Sequence, residues 1–200
     1  MAGEQIRSPR ARLFVALDLP AAIRQEIGAW GEQALGDPAL RPVPAENLHI
    51  TLAFLGSRPM QDAERAAKAI ERGVAPAPLA ELLDPLARPP RGRPRLLALP
   101  VLSPGTEQLQ AQLSQILASE QLYEPEQRPF WPHVTVARVR AEGRGSRRPR
   151  EVEKFPGGLS SMLSKPFYGI RVVLYRSELQ PSGARYVPLA QVKLPGAGQQ

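Results

Sequence analysis

Two histidines occur in the 200 residues, and each stands at the head of the same pattern. His49 opens HITLAFLG (49–56) and His133 opens HVTVARV (133–139). Threonine follows two places later in both, at Thr51 and Thr135, in a chain that holds three threonines. With so few available, chance placement at both positions is about a one-in-several-thousand event. The residue types suit a phosphate. A hydroxyl and an imidazole N–H both donate to phosphoryl oxygens. Histidine titrates near neutral pH, so one of a pair can take a proton while the other gives one. Placed on opposite sides of a phosphorus, the two support in-line displacement: one activates water and the other protonates the leaving oxygen. The threonines then hold the phosphoryl group and stabilise its charge. No metal is expected, because the chain has no cysteine, two histidines alone make a poor metal site, and no acidic cluster adjoins either motif. No cofactor is expected either.

The elements around the motifs must bring them together. In a strand, side chains alternate between faces. His49, Thr51 and Ala53 are expected on one face, with Ile50, Leu52 and Phe54 on the other. His133, Thr135 and Ala137 repeat this against Val134 and Val136. The apolar sets can pack on helices, leaving the His/Thr sets to line one cleft. Strict alternation puts Arg138 on the face opposite His133, so it reaches a phosphate only if the strand twists or ends there.

The rest of the chain gives each motif a similar setting. Strand 12–18 is followed by a helix from Pro20 to about residue 35, with Ile23, Ile27, Trp30 and Ala34 at helical spacing. Strand 48–55 is expected to stop at Gly56. A helix over 60–72 turns Ala63, Ala66, Ala67 and Ile70 inward. Strands near 79–86 and 95–101 read as a hairpin with the tip ARPPRGRP. In the second half come a helix over 104–119, strand 133–139, a loop at about 141–165, and two strands, FYGIRVVLYRSEL and ARYVPLAQVKL, joined by QPSG. The fold class expected is α+β: two pseudo-symmetric lobes, each an antiparallel sheet with helices on its outer face, enclosing a central cleft. Lobe 1 is expected over about 12–102 and lobe 2 over about 103–194, within one domain over 1–200 with loose tails at 1–10 and 195–200.

Composition narrows the setting. Apolar residues make up 42% of the chain, enough for a core, and the formal charge is +7. Arginines cluster at Arg88, Arg91, Arg93 and Arg95, and again at Arg138, Arg140, Arg144, Arg147, Arg148 and Arg150. A basic face attracts phosphate-rich partners. No run approaches the roughly 18 apolar residues of a membrane helix. Arg12 and Asp18 bracket the short apolar run near the start, unlike a signal peptide. A soluble, cytoplasmic, monomeric protein with no membrane partner is expected.

The segments RLFVALDLP, LHITLAFLG, RPFWPHVTVARV and VVLYRSELQPSGARYVPLA span about residues 12–190. In that order they resemble the two-histidine (2H) phosphoesterase superfamily. The nearest likeness is to the bacterial and archaeal RNA 2′,3′-cyclic phosphodiesterases, also called 2′-5′ RNA ligases. The resemblance implies a bilobal fold and metal-independent hydrolysis of a terminal 2′,3′-cyclic phosphate to a 2′-phosphate. It implies His49 as proton donor, His133 as proton acceptor, and Thr51 and Thr135 as phosphoryl ligands. The implied partner is RNA or a nucleotide with a cyclic phosphate end. Phe130 and Trp131 could stack a base at the cleft mouth, and Arg138 could contact a phosphate. Tyr123, Tyr168 and Tyr186 could reach the cleft. The alternatives are a 2′-5′ RNA ligase acting on tRNA halves and a non-catalytic RNA or nucleotide binder.

Overall fold

The computed structural model of the chain describes residues 9–73, 75–90, 93–180 and 183–197. Arg91, most of the expected tails and the centre of the QPSG turn lie outside the described residues. Among those described, ten strands form one antiparallel sheet, in the order β10–β9–β1–β3–β7–β6–β4–β8. Here β1 is Arg10–Asp18, β3 His49–Pro59, β4 Leu79–Leu82, β6 Leu96–Leu102, β7 His133–Val139, β8 Phe167–Tyr168, β9 Arg171–Gln180 and β10 Gly183–Lys193. Two short strands lie off this path: β2, Leu40–Pro42, beside β7, and β5, Leu86–Arg88, beside β6. Among the described residues three α-helices complete the fold, α1 (Ala21–Ala34), α2 (Gln61–Arg72) and α3 (Pro104–Ser119). The α+β class and the antiparallel sheet are as expected, and no described helix is long and apolar enough to cross a membrane.

The strands are not shared out as two consecutive halves of the chain. β9 pairs with β1 and β10 with β9, so the C-terminal hairpin joins the side of the sheet that holds the first motif. The strands preceding residue 102, β4, β5 and β6, lie on the side of the second motif. A cut near residues 102–103 therefore does not follow the strand pairing. The reason lies in β1. Leu13, Phe14, Val15, Ala16 and Leu17 are all buried, so this strand is covered on both faces. Its two hydrogen-bonding edges must be filled inside the core. β3 fills one and β9 the other. FYGIRVVLYRSEL accordingly splits at residues 169–170, with β8 pairing β4 on the far side.

Other expectations shift for local reasons. Gly56 does not stop β3. It takes φ +75°, a conformation that suits glycine, and the strand runs on to Pro59. The hairpin over 79–101 forms, but its first arm breaks at 83–85. Helix α2 turns Ala63, Ala66, Ala69 and Ile70 into the core and packs against α3, β9 and β10. Its small side chains allow that close approach. Helix α3 starts where Ser103 Oγ accepts the Thr106 N–H at 3.2 Å, with Pro104 in the first turn. Such a cap contributes about 1 kcal/mol. Leu109, Leu113 and Leu117 then bury one stripe.

The segment over 141–165 is held by side chains rather than by a sheet ladder. Asp37 Oδ2 accepts the N–H groups of Glu153 and Lys154, at 2.9 and 2.8 Å, while its Oδ1 accepts that of Ala39. These donors hold the Asp37 carboxyl below its ordinary pKa. Asp84 anchors the segment further along by accepting the Leu159 N–H.

Candidate active site

The two sides of the sheet meet where the motifs meet. β3 and β7 share one register pair, Ile50 with Val134, and both side chains are fully buried. In an antiparallel register this places His49 across from Thr135, and Thr51 across from His133, on the opposite face. On its other edge β3 pairs with β1, and β7 with β6. All four motif residues line one cavity of about 710 Å³.

Each strand carries the same irregularity one residue after its threonine. Along β3, Thr51 pairs with Ala16 and Ala53 with Val15, so Leu52 has no partner. Along β7, Thr135 pairs with Ala98 and Ala137 with Leu97, so Val136 has none. A one-residue bulge reverses the alternation of everything after it. Ala53 and Ala137 are therefore buried, contrary to the expected pattern. The residues five places after each histidine, Phe54 and Arg138, turn into the cleft instead. Phe54, expected in the core, is 60% exposed. Arg138 reaches the cleft through the bulge rather than through twist.

Both imidazoles are oriented by the same device. His49 Nδ1–H donates to the Asn47 carbonyl at 2.6 Å, and His133 Nδ1–H donates to the Trp131 carbonyl at 2.8 Å. A carbonyl can only accept, so the proton of each neutral ring sits on Nδ1 and Nε2 is left as the acceptor. The Thr51 hydroxyl lies 3.0 Å from His49 Nε2 and donates to it. Asn47 also donates from Nδ2 to the Ala184 carbonyl, which ties the His49 support to β10.

Residues 19–157 match the sequence model of the 2'-5' RNA ligase superfamily. The chain belongs to that superfamily. The RNA 2′,3′-cyclic phosphodiesterase of Escherichia coli K12 is 35% identical over 131 residues, 66% of this chain and 73% of the relative. The RNA 2′,3′-cyclic phosphodiesterase of Thermus thermophilus is 32% identical over 193 residues, 92% of this chain and 91% of the relative. Among solved structures, Escherichia coli LigT complexed with 3′-AMP superposes with a TM-score of 0.71 at 28% identity, covering 94% of this chain and 99% of that one.

Within this superfamily frame, the surroundings of the two histidines differ. His49 sits among rings: Phe14 at 5.1 Å, Tyr186 edge-on at 5.3 Å and Tyr175 at 6.3 Å between centroids. Behind them Asp18 is buried, accepting from Arg171 Nε and the Tyr175 hydroxyl, each at 2.8 Å. Burial and the neighbouring Asp18 carboxylate push the Tyr175 phenol up, so it stays a donor. Burial pushes His49 down to about 4, opposed by the Asn47 carbonyl and by Asp18. His133 stacks on Trp131 at 4.2 Å, and the Arg88 guanidinium lies 4.0 Å from the Trp131 ring centre. Burial lowers the His133 pKa, and the charge of Arg88 lowers it further. Among the described residues, Arg88 Nε is buried without a hydrogen-bond partner.

The remaining candidates sort clearly. Phe130, Trp131 and Tyr123 line a second pocket of about 460 Å³, which shares Thr51, Phe54 and His133 with the cleft. Tyr186 lines the cleft, whereas Tyr168 lines neither of these cavities and belongs to β8. Of the arginine clusters, Arg93 pairs with Glu142 and Arg148 lies 3.5 Å from the same carboxylate. Arg140 donates to the Leu40 carbonyl. Arg95, Arg144, Arg147 and Arg150 are exposed and line none of the cavities described. Sequence reasoning missed Phe54, Tyr175 and the isolated arginines Arg12 and Arg41, which line the cleft or its margin.

A pH dependence follows. A base must be unprotonated, and both imidazoles are held below the ordinary value of 6.5. Activity in kcat/KM is therefore expected to persist below pH 6.5 and to fall as pH drops through the lowered value. Arg88→Met removes a positive charge beside His133, so the acid limb should move to higher pH. Arg88→Lys keeps the charge and should leave the limb nearer its wild-type position. A pH–rate profile of the three proteins checks this.

Proposed function

We propose that this chain hydrolyses terminal 2′,3′-cyclic phosphates of RNA to 2′-phosphomonoesters by general acid–base catalysis without a metal. The observation that carries the reading is the crossed register at Ile50 and Val134, which sets each histidine opposite the other motif's threonine in one cavity. A phosphorus held there has a proton carrier and a hydroxyl donor on both sides. The relatives named as RNA 2′,3′-cyclic phosphodiesterases support the substrate.

In the reaction, His133 takes a proton from water at Nε2 as the water oxygen bonds to phosphorus. The bond from phosphorus to the ribose 3′ oxygen breaks, and His49 Nε2–H protonates that oxygen. The two rings then hold one proton between them as before, with its location exchanged. Both rings are neutral near pH 7 in the free protein, so binding must supply the charge that lets His49 hold a proton. The anionic phosphate does this, and Asp18 adds to it, while Arg88 opposes a second proton on His133. Thr51 and Thr135 donate to the phosphoryl oxygens.

The test is incubation with a short RNA ending in a 2′,3′-cyclic phosphate, with and without EDTA, followed by product identification. Hydrolysis is expected to survive chelation and to yield the 2′-phosphate. Loss on chelation with rescue by one divalent ion would overturn the metal-free mechanism. RNA ligation is a second reading, favoured by the aromatic pocket at His133: a nucleoside seated there could offer a 5′-hydroxyl where hydrolysis uses water.

A further inference from the structure

Beside the catalytic cleft lies another cavity, of about 650 Å³, in the size range of small-ligand sites. Five arginines line it: Arg24 from α1, Arg41 from β2, Arg138 from β7, Arg171 from β9 and Arg185 from β10. Against them stand Glu46 in the lining and Asp18 buried at the end of β1. Three positive charges are therefore left uncompensated. Asp18 engages Arg171 at 2.8 Å and Arg24 at 3.8 Å. Among the described residues, no ion pair or side-chain hydrogen bond engages Arg41, Arg138 or Arg185. Guanidinium groups gathered from five elements repel one another and cost stability unless an anion is meant to join them.

The cavity is continuous with the catalytic one. Arg41, Asn47, Arg138 and Tyr186 line both. Arg138 reaches the junction only because of the bulge at Val136, the same distortion that follows the catalytic threonine. On the other side of the cleft, at His133, the neighbouring pocket is lined by Phe54, Phe130 and Trp131 and carries a single arginine, Arg128. Charge is thus concentrated on the His49 side.

We infer that the arginine-lined cavity binds the phosphodiester on the 5′ side of the reacting nucleotide, so that the preferred substrate is an RNA chain rather than a cyclic mononucleotide. This rests on the cyclic phosphodiesterase reading and specifies its substrate. The cyclic phosphate at the histidines is the last phosphate of the chain, and the preceding one carries one negative charge with two free oxygens. Arginine engages such a group through paired N–H donors. Arg41 and Arg138, at the junction, are placed to touch both phosphates, while Arg24 and Arg185 line only the second cavity.

The experiment measures equilibrium binding, so it needs no turnover. A short RNA ending in a 2′-phosphate, labelled at its far 5′ end, is titrated with protein and followed by fluorescence anisotropy. A second RNA differs by one neutral methylphosphonate in place of the last internucleotide phosphate. Arg24→Gln combined with Arg185→Gln is expected to weaken the natural RNA about tenfold or more. The methylphosphonate should weaken wild-type binding by a similar factor. The two losses should not add: the variant should bind both RNAs within about twofold of each other. Arg185→Lys should keep most of the affinity, and competition by a nucleoside 2′-phosphate lacking a 5′ phosphate should change by less than about twofold in the variant. Equal weakening of both RNAs by the variant would make the arginines a diffuse field and overturn the site. Unchanged wild-type binding of the neutral RNA would overturn it too. If the arginine variant and the methylphosphonate RNA behave as expected while cyclic ends are not hydrolysed, the site stands and the catalytic reading falls.

Discussion

His49→Ala and His133→Ala are each expected to lower kcat/KM on an RNA with a 2′,3′-cyclic end by about a hundredfold or more. A hundredfold corresponds to about 2.7 kcal/mol of transition-state stabilisation. The fold should survive both changes. Neither ring fills the core: both line the cleft, and the strand is anchored from its other face by Ile50 and Val134. The carbonyls of Asn47 and Trp131, which lose their imidazole donors, lie beside an open cavity where water can replace them. Thr51→Ala and Thr135→Ala should be milder, since each removes hydrogen-bond donation rather than a proton carrier. Steady-state kinetics with circular dichroism on the same preparations check this. A folded histidine variant with near wild-type turnover would remove that residue from the catalytic pair.

How far this site could be read in the sequence depended on the kind of signal. The His–x–Thr pair was legible because both residue types are scarce here, so their coincidence carried weight. Faces were legible up to Thr51 and Thr135, where alternation holds. Past them it failed twice for one reason. A bulge at Leu52 or Val136 leaves no trace in residue type, since leucine and valine are ordinary strand residues. Phe54 and Arg138 were consequently set on the wrong face. The chain-order division failed because the pairing of Val15 with Leu174 spans most of the chain, and local patterns do not report partners at that separation. The arginines misled in an instructive way. Runs such as 144–150 drew attention, but arginines close in sequence were exposed or paired with Glu142. The cavity was lined by arginines far apart in sequence, converging only through the sheet.

Removing His49 is also expected to separate substrates by the quality of their leaving group. With RNA, the departing ribose 3′ oxygen is strongly basic and needs a proton as its bond to phosphorus breaks. With a nitrophenyl phosphodiester, the departing oxygen is stable as an anion and needs none. His49→Ala should therefore cost about a hundredfold or more on RNA but less than about tenfold on the activated ester. His133→Ala should cost both alike, because water must lose a proton whichever bond breaks. Asp18, buried among Arg171, Tyr175 and Arg24, favours a proton on His49 while Arg138 opposes it, and Arg88 beside Trp131 disfavours one on His133. Burial opposes charge on both rings, so a bound anion is expected to favour the protonated form. The two limbs of the pH–rate profile should then belong to the coupled pair rather than to single residues. A 3′-phosphate as the main product would reverse the ribose orientation. The opposite leaving-group pattern, with His133→Ala sparing the activated ester, would exchange the roles of the two histidines.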